Sequence, residues 1–203
     1  MSKERINILK AYGAEVVLTP AAKRMPGAIE KALELKEQIP GSFIPQQFEN
    51  NANPDIHRTT TALEILEQME GRIDAFVASS GTGGTITGTG ETLRERVPGI
   101  EIYVVEPKGS PVLSGGKPGK HKLVGTSPGF VPDILNTEVY DEIFQVEDDD
   151  ALHTVRDLAQ KEGIFVGPSA GASVWTGMQI AKRLGKGKRV ICIAPDTGER
   201  YLS

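Results

Sequence analysis

Residues 74–88 read Asp-Ala-Phe-Val-Ala-Ser-Ser-Gly-Thr-Gly-Gly-Thr-Ile-Thr-Gly, and this stretch decides the fold. Its apolar start, residues 75–78, predicts a buried strand, and a helical pattern follows the glycines. A loop between a strand and a helix N-terminus presents unpaired N–H groups and partial positive charge to an anion. The stretch therefore predicts a phosphate-binding loop made of Gly81, Thr82, Gly83, Gly84 and Thr85.

The loop alone does not identify its ligand. Its glycines fall at 81, 83, 84 and 88, which is not the spacing of the dinucleotide fingerprint G-x-G-x-x-G. No lysine follows the glycines, so the loop is not a P-loop of the type G-x-x-x-x-G-K-[ST]. An ordinary tight turn between a strand and a helix also fits these residues, so the rest of the chain has to decide.

Composition excludes several classes of protein. The chain has 203 residues and a net charge of −4 without a long run of one sign, which argues against nucleic acid as the main partner. No apolar stretch reaches membrane-spanning length, and the start of the chain has no signal-peptide core. The single cysteine, Cys192, lies in an apolar run and predicts a buried core residue in a reducing, cytoplasmic setting.

Charged and metal-ligating residues give no sign of a metal site. His57, His121 and His153 are scattered along the chain without the spacing of a ligand set. The acidic cluster at residues 148–150 is better explained as the N-terminus of a helix, where carboxylates suit the positive end of the dipole. We therefore predict no bound metal.

Strand and helix signals alternate along the whole chain. Strands are predicted at residues 14–18, 43–44, 73–78, 100–105, 164–166 and 189–194. Helices are predicted at residues 2–12, 26–38, 55–68, 85–96, 151–162 and 169–184, with Ser2 as the first N-cap. Residues 50–54 are predicted as a turn, and residues 106–130 as a long loop. This alternation predicts an α/β fold, a parallel sheet with helices on both faces. Ligands of such sheets bind at the carboxyl ends of strands, here residues 79–85, 167–171 and 195–201.

Several short motifs occur in an order that resembles one enzyme family. They are Tyr12-Gly-Ala-Glu-Val16, Gln47-Phe48, Gly81-Thr-Gly-Gly-Thr85, Gly167-Pro-Ser-Ala-Gly171 and Gly198-Glu-Arg-Tyr-Leu-Ser203. Together they resemble the pyridoxal-phosphate enzymes of the tryptophan-synthase-β type, called fold type II. Within that group the chain is most similar to cysteine synthase (O-acetylserine sulfhydrylase), with cystathionine β-synthase as a near relative.

The resemblance implies a role for each motif. The glycine loop would bind the phosphate of pyridoxal 5'-phosphate, and Ser169 would hydrogen-bond the pyridine nitrogen, although it could equally be a helix N-cap. Gln47 would bind the substrate carboxylate, with Phe48 beside it, unless the pair is an ordinary loop end. Gly125 would belong to a mobile glycine segment, residues 125–132, that contacts substrate.

Further residues would form the wall of the cofactor site. They are Asp196, Thr197 and the turn at residues 198–200. Structure alone could also explain them. Residues 126–128 read Thr-Ser-Pro, where cysteine synthases often have smaller residues, so a different amino-acid substrate or sulfur nucleophile is an open alternative.

The family's cofactor lysine has no counterpart in this sequence. The segment at residues 2–5, Ser-Lys-Glu-Arg, lacks one residue of the family's S-x-K-[DE]-R spacing and aligns with a later helix. The resemblance covers about the last two-thirds of the family's length. We therefore expect no catalytic residue here, and a chain that is inactive and prone to associate when alone. It would combine the last part of the small domain, residues 1–42, with the large cofactor-binding domain, residues 43–203.

Three functions remain open at the level of sequence. The first is a portion of an enzyme that converts O-acetyl-L-serine and sulfide to L-cysteine and acetate, or of a cystathionine β-synthase-like enzyme. The second is a non-catalytic phosphate-binding or assembly module. The third, a nucleotide-binding α/β protein, lacks a convincing acidic ribose-binding residue. The resemblance also implies a homodimer for the complete enzyme, and serine acetyltransferase as a weaker candidate partner.

Overall fold

A four-stranded parallel sheet is the centre of the molecule. In the computed structural model, which describes residues 3–202, the strands are β1 (Ala75–Ser79), β2 (Glu101–Pro107), β3 (Glu142–Val146) and β4 (Val190–Cys192). Their order across the sheet is β3-β2-β1-β4, and every pair is parallel. The central strand β1 places Phe76 beside Ile102 on one side and Ile191 on the other. The predicted α/β class is confirmed.

Helices make up most of the rest. They are α1 (Lys3–Ala11), α2 (Arg24–Gln38), α3 (Ala52–Ile56), α4 (Ala62–Gln68), α5 (Gly84–Arg96), α6 (Asp148–Asp157) and α7 (Pro168–Leu184). A π-helical segment, His57–Thr61, joins α3 to α4, and another, Leu158–Glu162, extends α6. Short 3-10 turns occur at Ala21–Lys23 and Gly198–Tyr201.

The two faces of the sheet carry separate apolar cores. Alternate residues of a strand point to opposite faces, so Phe76 and Ala78 pack with Leu93 of α5 on one face. Ala75 and Val77 face the other way and belong to a cluster with residues of α6 and α7. A fully buried side chain of this size contributes about 1.5–3 kcal/mol. The sheet is therefore held from both sides, as the pattern of apolar strands predicts.

The N-terminal helices lack such a core. Gly27 is the single buried residue between residues 3 and 42, and α1 has none. Large apolar side chains of this region face solvent, including Tyr12 at 84% and Leu18 at 64% exposure. The left-handed Gly13 ends the first helical segment as expected, with its N–H donating to the carbonyl of Lys10.

Three of the predicted strands are wrong. Residues 14–18 and 43–44 are extended or irregular without a partner strand, and residues 164–166 make only an isolated bridge between Val166 and Thr197. Apolar and β-branched residues favour extended backbone, but a strand also needs a neighbour with which to exchange hydrogen bonds.

Two further boundaries differ from the sequence-based expectation. Strand β3 was absent from it, because this edge strand is only partly buried and lies between polar residues. The turn predicted at residues 50–54 is already helical from Ala52. Ser2, predicted as an N-cap, lies outside the described residues.

The remaining predicted helices and the central strands are confirmed within a few residues. The acidic residues 148–150 form the first turn of α6, as expected. Cys192, predicted to be buried, is only partly buried and packs against the core on the α6–α7 face, because β4 is an edge strand. Burial raises the pKa of its thiol to about 12, so little thiolate forms at neutral pH. Within residues 3–202, no helix combines the length and apolar character needed to cross a bilayer.

Candidate functional site

A cavity of about 280 Å³ lies at the carboxyl end of the sheet. It is bordered by the loop after β1, the start of α7 and the segment after β4. Its lining residues include Gly81, Thr82, Gly83, Thr85, Gly125 and Ser169, all of which the sequence selected. Gly84, the fourth residue of the glycine loop, is also the first residue of α5, and it does not line the cavity.

Among the described residues 3–202, five backbone N–H groups around the glycine loop find no acceptor. The loop is fixed at its start, where the N–H of Ser80 donates to the carbonyl of Val105 at 3.1 Å. The Gly84 N–H donates to Thr82 Oγ1 at 3.3 Å, and the Thr87 N–H to the carbonyl of Gly83 at 3.0 Å. Within residues 3–202, no protein acceptor accepts from the N–H groups of Gly81, Thr82, Gly83, Thr85 and Ile86. Such donors at a helix N-terminus are suited to bind an anion.

The hydroxyls of Thr82 and Thr85 form hydrogen bonds with residues of α3 and of the π-helical segment that follows it. Asn53 Nδ2 donates to Thr82 Oγ1 at 3.0 Å, and His57 Nε2 lies 3.1 Å from Thr85 Oγ1. Asn53 and His57 are four residues apart, so they lie on the same face of this helical segment. The Thr82 oxygen already accepts two hydrogen bonds, which leaves its own proton free to donate to a ligand.

The surroundings of His57 favour its neutral form. Burial lowers the pKa of His57 below its ordinary value. Its other ring nitrogen, Nδ1, lies 2.8 Å from Thr61 Oγ1. If Nε2 carries the hydrogen, His57 donates to Thr85 and the Thr85 hydroxyl is free to donate into the cavity.

Close packing explains two of the glycines. A Cβ at Gly81 would overlap the carbonyl oxygen of Gly125, and one at Gly84 would overlap the side chain of Asn53. The loop can therefore touch both neighbours only because these positions carry no side chain.

Ser169 lies at the start of α7 and is buried, with 4% of its surface exposed. The N-cap of α7 is Gly167, with Pro168 in the first turn, so the alternative role of Ser169 as the N-cap is wrong. Ser169 lines the same cavity as the glycine loop. The structure therefore joins two loops that are far apart in sequence.

A cluster of Arg5, Asp196 and Tyr201, from near the two ends of the chain, borders the cavity. Arg5 Nη2 donates to Asp196 Oδ2 at 2.9 Å and to the hydroxyl of Tyr201 at 2.7 Å. Tyr201 also donates to Asp196. Burial first, and then the Asp196 carboxylate, raise the pKa of Tyr201. Sequence reasoning missed Arg5 and Tyr201 in this role, because no local pattern brings residues 5 and 201 together.

Gln47 and Phe48 lie apart from this cavity. They border another one, of about 370 Å³, between α2 and residues 44–48. Phe48 packs edge-on against Phe130 with ring centroids 5.0 Å apart. The two places are linked through Asn53, which donates to the carbonyl of Gln47 at 2.9 Å as well as to Thr82.

Comparison with known proteins now becomes decisive. The family model described as pyridoxal-phosphate dependent enzyme matches residues 1–196. The chain belongs to this family. A probable cysteine synthase of Bacillus subtilis (strain 168) is 66% identical over 206 residues, covering 100% of this chain and 66% of that protein. The chain thus spans about two thirds of the length of this relative.

Solved structures agree. The chain superposes on cysteine synthase from Entamoeba histolytica with a TM-score of 0.93 and 42% identity, covering 100% of this chain and 60% of that one. It superposes on O-acetylserine dependent cystathionine β-synthase from Helicobacter pylori with a TM-score of 0.93 and 40% identity, covering 99% and 65%. The resemblance to cysteine synthases and the fold type II architecture are confirmed.

The residues of the cavity fit the family's cofactor. A phosphate needs several donors at once, and five unpaired N–H groups with two hydroxyls meet at one helix N-terminus. Arg5 and Arg200 add positive charge to the lining. Among the lining residues within 3–202 there is no lysine. Within the same residues, no group of three or more histidine, cysteine or acidic side chains could hold a metal ion.

Proposed function

We propose that this chain forms the phosphate-binding part of the active site of a cysteine synthase-like enzyme. The complete enzyme would convert O-acetyl-L-serine and sulfide to L-cysteine and acetate by replacement at the β-carbon. The observation that carries this proposal is the set of unpaired N–H groups around Gly81–Thr85, in a cavity that Ser169 also lines. The identity to cysteine synthases supports the reaction class.

Each residue then has a defined task. The N–H groups of the loop, with the Thr82 and Thr85 hydroxyls, would hold the cofactor phosphate. Ser169 would donate to the pyridine nitrogen, and a neutral hydroxyl there leaves that nitrogen without a proton. Pyridoxal 5'-phosphate supplies an electron sink for chemistry at the α- and β-carbons of an amino acid.

Substrate binding would fall to Gln47, Phe48 and Gly125. Gln47 would bind the substrate carboxylate, with Phe48 beside it, and Gly125 would contact the substrate from the neighbouring cavity. The hydrogen bonds from Asn53 to Gln47 and Thr82 support a shared position for substrate and phosphate. We further propose that residues 1–42 belong to a small domain and residues 43–203 to the large one.

A non-catalytic binding role is the second candidate. One observation favours it: the cavity lining contributes arginines but no lysine within residues 3–202. Covalent catalysis on a carbonyl cofactor needs an amine nucleophile within reach. A cystathionine β-synthase-like reaction is favoured by the Helicobacter pylori relative. Homodimerisation, a complex with serine acetyltransferase and a cytoplasmic location stay predictions.

The first test is a titration with pyridoxal 5'-phosphate, followed by borohydride reduction and measurement of the intact mass. We expect saturable binding without a stoichiometric reduced adduct. A matched titration with pyridoxal, which lacks the phosphate, should bind much more weakly. A single specific lysine adduct would contradict the absence of a catalytic lysine, and no binding would contradict the phosphate site.

A further inference from the structure

The turn at residues 125–129 packs closely against the start of the glycine loop. Gly125 lines the cavity, and its carbonyl oxygen lies where a Cβ of Gly81 would be. The N–H of Ser127 donates to the carbonyl of Ser80, immediately before Gly81, at 2.9 Å. The position of this turn therefore limits where the start of the glycine loop can lie.

Ser127 adopts an unusual backbone conformation. Its φ of +44° lies in the left-handed region, which residues with a side chain rarely occupy. Such a conformation persists when neighbouring contacts hold it in place. The contacts of the Ser127 side chain show what holds it.

The side chain of Ser127 forms hydrogen bonds with both the backbone and the side chain of Ser110. Ser127 Oγ donates to the backbone carbonyl of Ser110 at 2.9 Å, and the two hydroxyl oxygens are also 2.9 Å apart. A serine hydroxyl has one proton, so the proton of Ser127 goes to the carbonyl and Ser110 donates to Ser127 Oγ. Ser110 is itself buried, with 1% exposed, and its N–H donates to Pro107 at the end of β2.

We propose that the Ser110–Ser127 hydroxyl pair is a latch that positions the turn at residues 125–129 against the glycine loop and thereby sets the phosphate affinity of the cavity. The latch runs from the end of β2 through Ser110 and Ser127 to Ser80 at the end of β1. Both serines are positioning residues. The effect on affinity rests on the proposed function, whereas the latch itself does not.

The test uses Ser110→Ala in the full chain, because this variant removes one hydroxyl of the pair without substituting a residue of the turn itself. Ser114→Ala is the matched control. Ser114 lies in the same loop as Ser110, but its hydroxyl donates to Glu106 of β2 and makes no hydrogen bond to Ser127. Amide exchange is followed by NMR at Ser127, whose N–H reports the contact with Ser80, and at Gly116, whose N–H donates to Pro111.

In Ser110→Ala we expect exchange at Ser127 to accelerate at least tenfold while Gly116 is unchanged. Affinity for pyridoxal 5'-phosphate and for inorganic phosphate should fall three- to tenfold. Ser114→Ala should leave both Ser127 exchange and affinity unchanged.

Unchanged exchange at Ser127 in Ser110→Ala would overturn the latch. Faster exchange with unchanged affinity would overturn its link to the site, as would equal effects of Ser114→Ala. If the wild-type chain binds neither ligand, the proposed function and the affinity part of this proposal both fail, and the exchange data still decide the latch.

Discussion

The N-terminal helices and the sheet region of this chain are built differently. Between residues 3 and 42 only Gly27 is buried, whereas Phe76, Leu93 and Val104 in the sheet region are completely buried. A short helix without tertiary burial is marginally stable in water, so α1 and α2 depend on few contacts. The glycine loop lies between the central strand and a helix of the buried region. We conclude that the glycine loop is held by the sheet and α5, whereas α1 contributes Arg5 to the lining of the cavity and α2 contributes nothing to it.

The largest expected contrast is in stability. Phe76→Ala, in the core between the sheet and α5, should lower the free energy of unfolding by about 3–5 kcal/mol, because it removes apolar contacts and leaves a cavity. Leu18→Ala, at a position 64% exposed, should change it by less than about 0.5 kcal/mol. Urea unfolding followed by circular dichroism measures both. Equal effects would mean that the two regions share one core.

The second prediction compares a glycine of the glycine loop, Gly81, with a glycine of the N-terminal region, Gly13. Gly81→Ala places a Cβ against the carbonyl oxygen of Gly125, and such overpacking costs about 1–3 kcal/mol. We expect affinity for pyridoxal 5'-phosphate to fall at least tenfold. Gly13→Ala, a left-handed glycine with open space around it, should cost about 1–2 kcal/mol locally and leave affinity unchanged. Fluorescence titration of both variants provides the comparison, and a loss of affinity in Gly13→Ala would refute it.

A smaller effect is expected at Asn53. Asn53→Ala removes the donor to Thr82 Oγ1, and a hydrogen bond of this kind contributes about 0.5–1.5 kcal/mol. Affinity for pyridoxal 5'-phosphate should therefore fall roughly two- to tenfold. Asn50→Ala is the control, because Asn50 bonds to Pro45 and Ala52 away from the loop. An equal loss in both variants would assign the effect to general loosening of residues 45–53.

The smallest effect is a pH dependence confined to the sheet region. Burial lowers the pKa of His57 in the folded chain from the ordinary value of 6.5, so the unfolded chain binds the proton more readily. This contribution is absent above pH 6.5 and destabilises the fold as the pH falls below it. His57→Gln should make the acid side of the stability curve shallower, and exposed His153→Gln should not. Residues 3–42 contain no histidine, so they should lack this dependence.

The same contrast explains what the sequence could predict. Residues 75–79 were found because an apolar run, a glycine loop and a helix are local signals. Residues 14–18 and 164–166 carry similar apolar residues, but no local pattern shows that they lack a partner strand. Hydrogen bonds to a neighbouring strand, and not the β-propensity of its residues, decide whether such a segment is a strand.

The sequence predicts the loops that line the cavity, but not the residues that close one side of it. The glycine loop and Ser169 have motifs of their own, and the rule that ligands bind at strand ends brings them together. The Arg5–Asp196–Tyr201 cluster joins the two ends of the chain, and no motif marks it. The separation of Gln47 from the cavity depends on how residues 44–48 pack on α2, which periodicity does not reveal.

Amide hydrogen exchange with and without pyridoxal 5'-phosphate tests the central claim most directly. In the free chain, the N–H groups of β1 and of α5 from Thr87 onward should exchange slowly, and those of residues 15–19 rapidly. On adding the ligand, protection should appear at Gly81, Thr82, Gly83, Thr85 and Ile86, and α2, which does not line the cavity, should be unchanged. Protection that appears in α2, and is absent from these five amides, would contradict a phosphate site formed by the glycine loop and held by the sheet.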